Sequence, residues 1–263
     1  MASKVLFVIP ARLASTRLPR KLLLLLDDQT GKTVLQSTFE HVLGSKHATD
    51  KNVYIATGDE EIQSVATGFG ARVQLTTQDL ASGSDRAAEA ARILGKTSEV
   101  EVIVNVQGDE PFVNPGHIDA VVEGLVKNPW ADVATCAVPV TTKGADSQND
   151  PSKVKVVTSN SGAALYFSRS PIPHNSQTWL RHVGLYAYRP NALERFSKLP
   201  QSPLERSESL EQLRLLQNDM KIHVSTVADA GFGGVDVKED FDRAKAHYAR
   251  LKKQAMCFTR NCG

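Results

Sequence analysis

The stretch VLFVIPARLASTRLPRKLLLLLDD, residues 5–28, decides the fold class. Val5 to Ile9 is apolar and β-branched, and Pro10 stops it, which predicts a buried strand with a loop at its C-terminal end. Within the next ten residues stand Arg12, Arg17, Arg20 and Lys21. In open α/β sheets ligands sit at that edge. Four cations there point to an anionic, phosphorylated ligand.

Outward from this stretch the pattern repeats. NVYIAT (52–57), RVQLT (72–76), EVIVNV (101–106) and DVATCAV (132–138) are strand candidates. Between them Thr33 to Leu43, Asp59 to Phe69, Ser84 to Leu94 and Gly116 to Val126 carry helical spacing. This alternation predicts βαβ units and a mainly parallel sheet. After residue 140 the rhythm changes. SKVKVVTSNSGAALYFSRSPIP (152–173) reads as a hairpin turning at Ser159 to Gly162, and LRHVGLYAYRP (180–190) as another strand. SPLERSESLEQLRLLQN opens a helix with Ser202 at the N-cap, Pro203 at the first position and Glu205 three residues past the cap. A last helix is expected over Asp240 to Lys252, followed by a frayed tail. The second half therefore reads as an appended α+β region in a single domain of residues 1–263.

A net charge of +2 in 263 residues argues against a nucleic-acid partner. Cys136, Cys257 and Cys262 form no metal-ligand pattern, and the longest leucine run, Leu22 to Leu26, is too short to cross a bilayer. With no signal peptide at its start, the chain is expected to be a cytoplasmic, reduced protein without membrane attachment.

Familiar nucleotide motifs fail. TGKT (30–33) lacks the glycine that a Walker A loop needs five residues before Gly31, where Leu26 stands, and no G-x-G-x-x-G follows a strand. Four pieces survive. The loop from Arg12 to Lys21 can hold a triphosphate through bidentate guanidinium contacts and a mobile lysine charge; a solvated basic loop is the plain alternative. VIVNVQGDEP (102–111) runs a strand into Asp109 and Glu110, and a carboxylate there suits Mg²⁺, which takes oxygen ligands and shares substrate phosphates. In GFGGVDVKED, Asp236 either caps the last helix or completes a metal pair with Asp109. In LASGSDRAAEA, Ser84 is the expected helix cap, and Gly83 with its small neighbours permits close approach of a flat base.

These pieces, in this order, resemble the 3-deoxy-manno-octulosonate cytidylyltransferases, or CMP-Kdo synthetases. The resemblance runs from about residue 4 to 246. It implies a Rossmann-like nucleotidyltransferase fold and the transfer of CMP from CTP to the sugar acid Kdo, for lipopolysaccharide biosynthesis. It implies that Arg12 and Lys21 bind the CTP phosphates, that Ala11, Ser82 and Gly83 lie near the cytidine, and that Gln107 orients the ligands. Asp109 and Asp236 would hold Mg²⁺, and Arg12, Lys21, Asp109 and Asp236 would carry catalysis. Arg17, His182, Tyr186, Glu211 and Gln212 fall where the family recognises the sugar acid. Residues about 1–140 and 225–256 would form the nucleotide and metal part, and 141–224 the sugar-binding part and the contact of a homodimer.

The chain departs from the family where Gly-Lys-Pro is replaced by Arg20-Lys21-Leu22, at Gly58 in place of an aspartate, and at His174-Asn175-Ser176 in place of Trp-Asp-Arg. The arginine missing there leaves His174 or Arg169 as substitutes, and keeps open a cytidylyltransferase for another sugar acid, of the 8-amino-Kdo or sialic-acid type. A glycosyltransferase would carry Asp-x-Asp where Asp109-Glu110-Pro111 stands. A non-catalytic nucleotide-binding protein would have lost Lys21 or a metal carboxylate.

Overall fold

The computed structural model describes residues 4–80, 82–141 and 147–260. The opening strand, β1 (Val5–Pro10), is buried along its whole length. The elements that follow are β2 (Leu25–Asp27), β3 (Lys32–Thr33), α1 (Val34–Leu43), β4 (Val53–Thr57), α2 (Glu60–Gly68) and β5 (Arg72–Leu75). Next come α3 (Gly83–Ile93), β6 (Val102–Asn105), α4 (Pro115–Lys127), β7 (Val133–Thr141), β8 (Lys155–Thr158) and β9 (Ala164–Ser168). The chain ends with β10 (Thr178–Tyr188), α5 (Pro190–Ser197), α6 (Pro203–Glu208), α7 (Gln212–Gln217), β11 (Ile222–Thr226) and α8 (Lys238–Arg260).

A strand apolar on both faces needs cover on both, and β1 receives it. Phe7 and Ile9 join a core with Val34 and Phe39 of α1, Ile118 and Val121 of α4 and Phe241 of α8. Leu6 and Val8 point the other way, toward Ala87 and Ala90 of α3, Leu193 and Phe196 of α5 and Leu213 of α7. The main sheet runs β11-β7-β10-β6-β1-β4-β5, with β8 and β9 branching from β10. Pairing is parallel among β6, β1, β4 and β5 and between β11 and β7. Only β10 on this path runs antiparallel to its neighbours, β6 and β7. The α/β architecture with a mainly parallel sheet is thus the one expected. The second half shares that sheet, because β10 lies between two strands of the first.

The expected helices appear with ends shifted by a residue or two. Ser202 caps α6 in a full capping box with Glu205. The run after it is two helices, however, because Ser209 takes a left-handed conformation (φ 52°) and ends α6 before α7 starts. Ser82, not Ser84, caps α3, its hydroxyl accepting from the Asp85 N–H at 3.1 Å. The expected hairpin is β8–β9, closed at Gly162 with φ 79°. The short β2–β3 hairpin, α5 and β11 carried no sequence signal strong enough to be read. Helix α8 extends past Lys252, where fraying was expected, to Arg260, and Cys262 lies outside the described residues. Among the described residues no helix is long and apolar enough to cross a membrane, and Cys136 is free and buried, its thiol pushed up to about 12 by burial.

Candidate active site

The C-terminal ends of β1 and β6 lie side by side because the strands pair in parallel register from Val5 with Val102 to Val8 with Asn105. Each strand then releases a loop on the same edge. The β1 loop carries Ala11, Arg12, Arg17 and Lys21; the β6 loop carries Gln107 and Asp109. Gly108 lets the two loops touch, since a Cβ there would lie 2.9 Å from the Pro10 carbonyl oxygen. Gly83, at the start of α3, would bring a Cβ to 3.0 Å from Gln107 Oε1, so a glycine seats this helix end against the pocket. Gly108→Ala is expected to force the loops apart and lower kcat/KM by up to about 10²-fold, the effect of ångström-scale misplacement of reacting groups. Steady-state kinetics beside a melting curve would separate that loss from unfolding.

Lys21 is the hub. Its ammonium donates to Asp109 Oδ2 and, at 3.0 Å, to Asp236 Oδ1. Asp236 also pairs with Arg17 at 2.9 Å. Burial pulls the Lys21 pKa down, but the two carboxylates outweigh it and leave it above its ordinary value. Asp236 is therefore not the helix cap: its own N–H and that of Val237 donate at 3.1 Å to the carboxylate of Asp240, which closes the start of α8 from inside the helix. Arg12 has no ion-pair partner among the described residues and is exposed, so its guanidinium is available to a ligand.

Ala11, Arg12, Arg17, Lys21, Ser82, Gly83, Gln107, Asp109 and Asp236 line one cavity of about 410 Å³. Every residue expected at the nucleotide and metal is there, with Arg17 beside them. Next to it, sharing Leu80 and Ser82, opens a groove of about 1370 Å³ between α3 and the α5–α6 segment, and Glu211 lies on its wall. Glu211 Oε2 accepts from Ser84 Oγ at 3.2 Å, while Oε1 is buried without a hydrogen-bond partner; burial holds this carboxyl above its ordinary value. His182, Tyr186 and Gln212 line neither cavity. The first two stand on β10, their rings 5.6 Å apart, and Gln212 begins α7, buried.

The tautomer of His182 follows from its partner. Thr135 Oγ1 lies 2.9 Å from Nε2 of His182 and 2.8 Å from the Leu185 carbonyl oxygen. The hydroxyl has one proton, and the carbonyl can only accept it, so Nε2–H donates to Thr135 and Nδ1 stays an acceptor. Burial pushes His182 down to about 3, which keeps it neutral near pH 7.

Three residues of this region have contacts that the sequence did not announce. Arg86, on the Ser82–Ala91 helix face, is 2% exposed and lines the smaller cavity, its guanidinium donating to the carbonyls of Thr77 and Gln78 at 2.9 Å. An arginine among alanines on a buried face was the available signal. Glu110, beside Asp109, is pushed up to about 7 by burial and by the neighbouring carboxylates Asp109 and Asp236. Asp59 accepts from the Leu13 N–H at 3.0 Å.

A mainly parallel α/β sheet with a basic loop and two carboxylates converging on one lysine at its strand ends is the arrangement of a nucleotidyltransferase. The family model described as cytidylyltransferase matches residues 6–222. The 3-deoxy-manno-octulosonate cytidylyltransferase of Cellvibrio japonicus is 43% identical over 253 residues, covering 91% of this chain and 96% of its own length. That of Chloroherpeton thalassium is 42% identical, with 95% of this chain and 100% of its own covered. A solved CMP:2-keto-3-deoxy-manno-octonic acid synthetase complexed with CTP superposes with a TM-score of 0.85 at 36% identity, over 95% of this chain and 100% of that one. The chain belongs to the 3-deoxy-manno-octulosonate cytidylyltransferase family.

Proposed function

We propose that this chain transfers CMP from CTP to 3-deoxy-D-manno-octulosonate, giving CMP-Kdo and pyrophosphate. The observation that carries the reading is family membership over nearly the whole chain, joined to one cavity that gathers Arg12, Lys21, Asp109 and Asp236. The sugar's anomeric hydroxyl attacks the α-phosphorus in line; the new O–P bond forms as the bond to the departing pyrophosphate breaks, and the hydroxyl's proton passes to solvent. Arg12 and Lys21 bind and neutralise the phosphates, by positioning and charge rather than covalent chemistry. The Ala11 backbone, Ser82 and Gly83 border the cytidine, and Gln107 orients the ligands.

Asp109 and Asp236 fit a magnesium ion, because both already converge on one cationic group, the Lys21 ammonium. Two protein carboxylates suit an ion that keeps several waters and shares substrate phosphates. When bound, it would supply Lewis-acid stabilisation of charge on the reacting phosphates. We assign Arg17, His182, Tyr186, Glu211 and Gln212 to the sugar subsite, in which Arg17 lines the smaller cavity and Glu211, ion-paired with Arg214 at 3.8 Å, lines the groove beside it. Residues 141–224 bear that subsite apart from Arg17, together with the contact of a cytoplasmic homodimer.

A second reading, a different sugar acid, rests on His174-Asn175-Ser176. Of the two substitutes for the missing arginine, Arg169 already donates to the carbonyls of Pro151, Glu208 and Ser209, and His174 is exposed. Pyrophosphate release with Mg²⁺ is expected from CTP and octulosonate, and not from ATP, GTP or UTP. Release only with 8-amino-octulosonate or sialic acid would keep the nucleotide site and change the substrate. No release with any sugar acid, despite CTP binding, would make this a non-catalytic nucleotide-binding protein.

A further inference from the structure

Residues 12–20 are an exposed loop that carries Arg12 and Arg17 and leads into Lys21. A loose loop grips phosphate poorly, because ordering it on binding subtracts from affinity. Two acids outside the loop hold it. The Leu13 N–H donates to Asp59 Oδ2 at 3.0 Å, and Arg20 Nη2 donates to Glu61 Oε1. Both acids stand at the start of α2, with Asp59 at its N-cap position.

An aspartate in that position ordinarily accepts from the N–H groups of its own helix. Here no such bond forms, and the carboxylate turns to the β1 loop instead. The residue is fixed from behind, its own N–H donating to Thr57 Oγ1 at 3.0 Å. The points gripped are the immediate neighbours of the two phosphate cations. Holding the Leu13 N–H fixes the peptide plane that joins Arg12 to Leu13. Arg20 sits left-handed (φ 58°, ψ 24°) and starts the 3₁₀ turn Lys21–Leu23. The loop's other ion pairs run to Asp109 and Asp236, the carboxylates read above as metal ligands, so nucleotide and metal compete with them. The two contacts with α2 face no such competition.

We propose that Asp59 is a positioning residue of this enzyme, its carboxylate pre-ordering the phosphate loop for CTP, with Glu61 as a weaker second tether. The proposal rests on the reading of that loop as the CTP phosphate site. The Arg20–Glu61 pair is 56% and 45% exposed, and exposed pairs contribute little. A carboxylate accepting from a half-buried backbone N–H contributes more.

The test is calorimetric titration of CTP with Mg²⁺ into wild type, Asp59→Ala, Asp59→Asn and Glu60→Ala, with kcat and KM for each. Asp59→Ala is expected to raise the Kd and KM for CTP about tenfold, the effect of one charge-assisted hydrogen bond, while kcat stays within about twofold. Asp59→Asn, whose amide oxygen accepts the same N–H, is expected to recover most of that affinity, and Glu60→Ala to match wild type. Equal CTP affinity in Asp59→Ala and wild type, or Asp59→Asn as weak as Asp59→Ala, overturns the proposal. Absence of CTP binding by wild type overturns the nucleotide reading and the proposal with it. Hydrogen exchange in the free wild type needs no variant: the Leu13 amide is expected to be protected and those of Ser15 and Thr16 to exchange freely, and fast exchange at Leu13 sinks the tether itself.

Discussion

Lys21→Ala is expected to lose about 10²–10³ in turnover while the protein still melts near the wild-type temperature, the usual effect of removing one charge contact made in a transition state. The side chain is only 15% exposed and bridges Asp109 and Asp236, so no solvent cation replaces it at the same place. Without it, the two carboxylates face a triphosphate with Arg12, Arg17 and the carbonyl-bound Arg86 as the cations left in the cavity. Asp109→Asn removes charge from the other side of the same contact and is expected to lose as much. Pyrophosphate release at saturating CTP, read beside a melting curve, checks both. Near-normal turnover in either variant would show that the chemistry lies elsewhere.

The largest effect on stability is expected at Glu205. Its carboxylate accepts two bonds from the Arg214 guanidinium, at 2.8 and 2.6 Å, and one from the Ser202 N–H at 3.0 Å. The pair is 6% and 11% exposed. Removing one member strands a buried charge, which costs about 3–5 kcal/mol. Glu205→Gln should therefore melt several degrees lower, taking about 2–4 °C per kcal/mol for a chain of this size. The acid dependence has a definite sign. Burial pushes Glu205 up, but the Arg214 and Ser202 bonds outweigh it and hold the group below its ordinary 4.5. A depressed carboxyl contributes stability above its unfolded value and loses it as pH falls through the lower folded one. The gap between wild type and Glu205→Gln should thus be full near pH 7 and shrink below about pH 4.5. A gap that widened in acid would contradict this assignment.

What the sequence revealed was local. Pro10 ends a β-branched run, and Asp109 follows one a few residues on, so both strand ends could be placed before any contact was known. What stayed hidden depends on distance along the chain. The Leu13–Asp59 contact joins residues 46 positions apart, and Asp59 alone reads as an ordinary helix start. Arg86 resembles a misplaced surface residue until the carbonyls of 77 and 78 close around it. The capping box at Ser202 announces where α6 begins, yet nothing in SESLEQ announces the left-handed Ser209 that ends it. Ser82 and Ser84 both qualify as caps by residue type. The Asp85 N–H donates to Ser82, while Ser84 packs against Asn105 and Glu211, and that divides the roles.

The position of β10 bears on how the chain comes to be assembled. As residues emerge in order during synthesis, β6 and β7 appear well before the strand that separates them. Until residue 188 is out, each has a bare edge where β10 belongs, and pairing those edges directly would give a compact but wrong sheet. The antiparallel insertion therefore makes the long connection through residue 177 a kinetic burden, in a topology already weighted toward distant contacts. The early βαβ units can gather around β1, but the sheet closes only when its late central strand arrives.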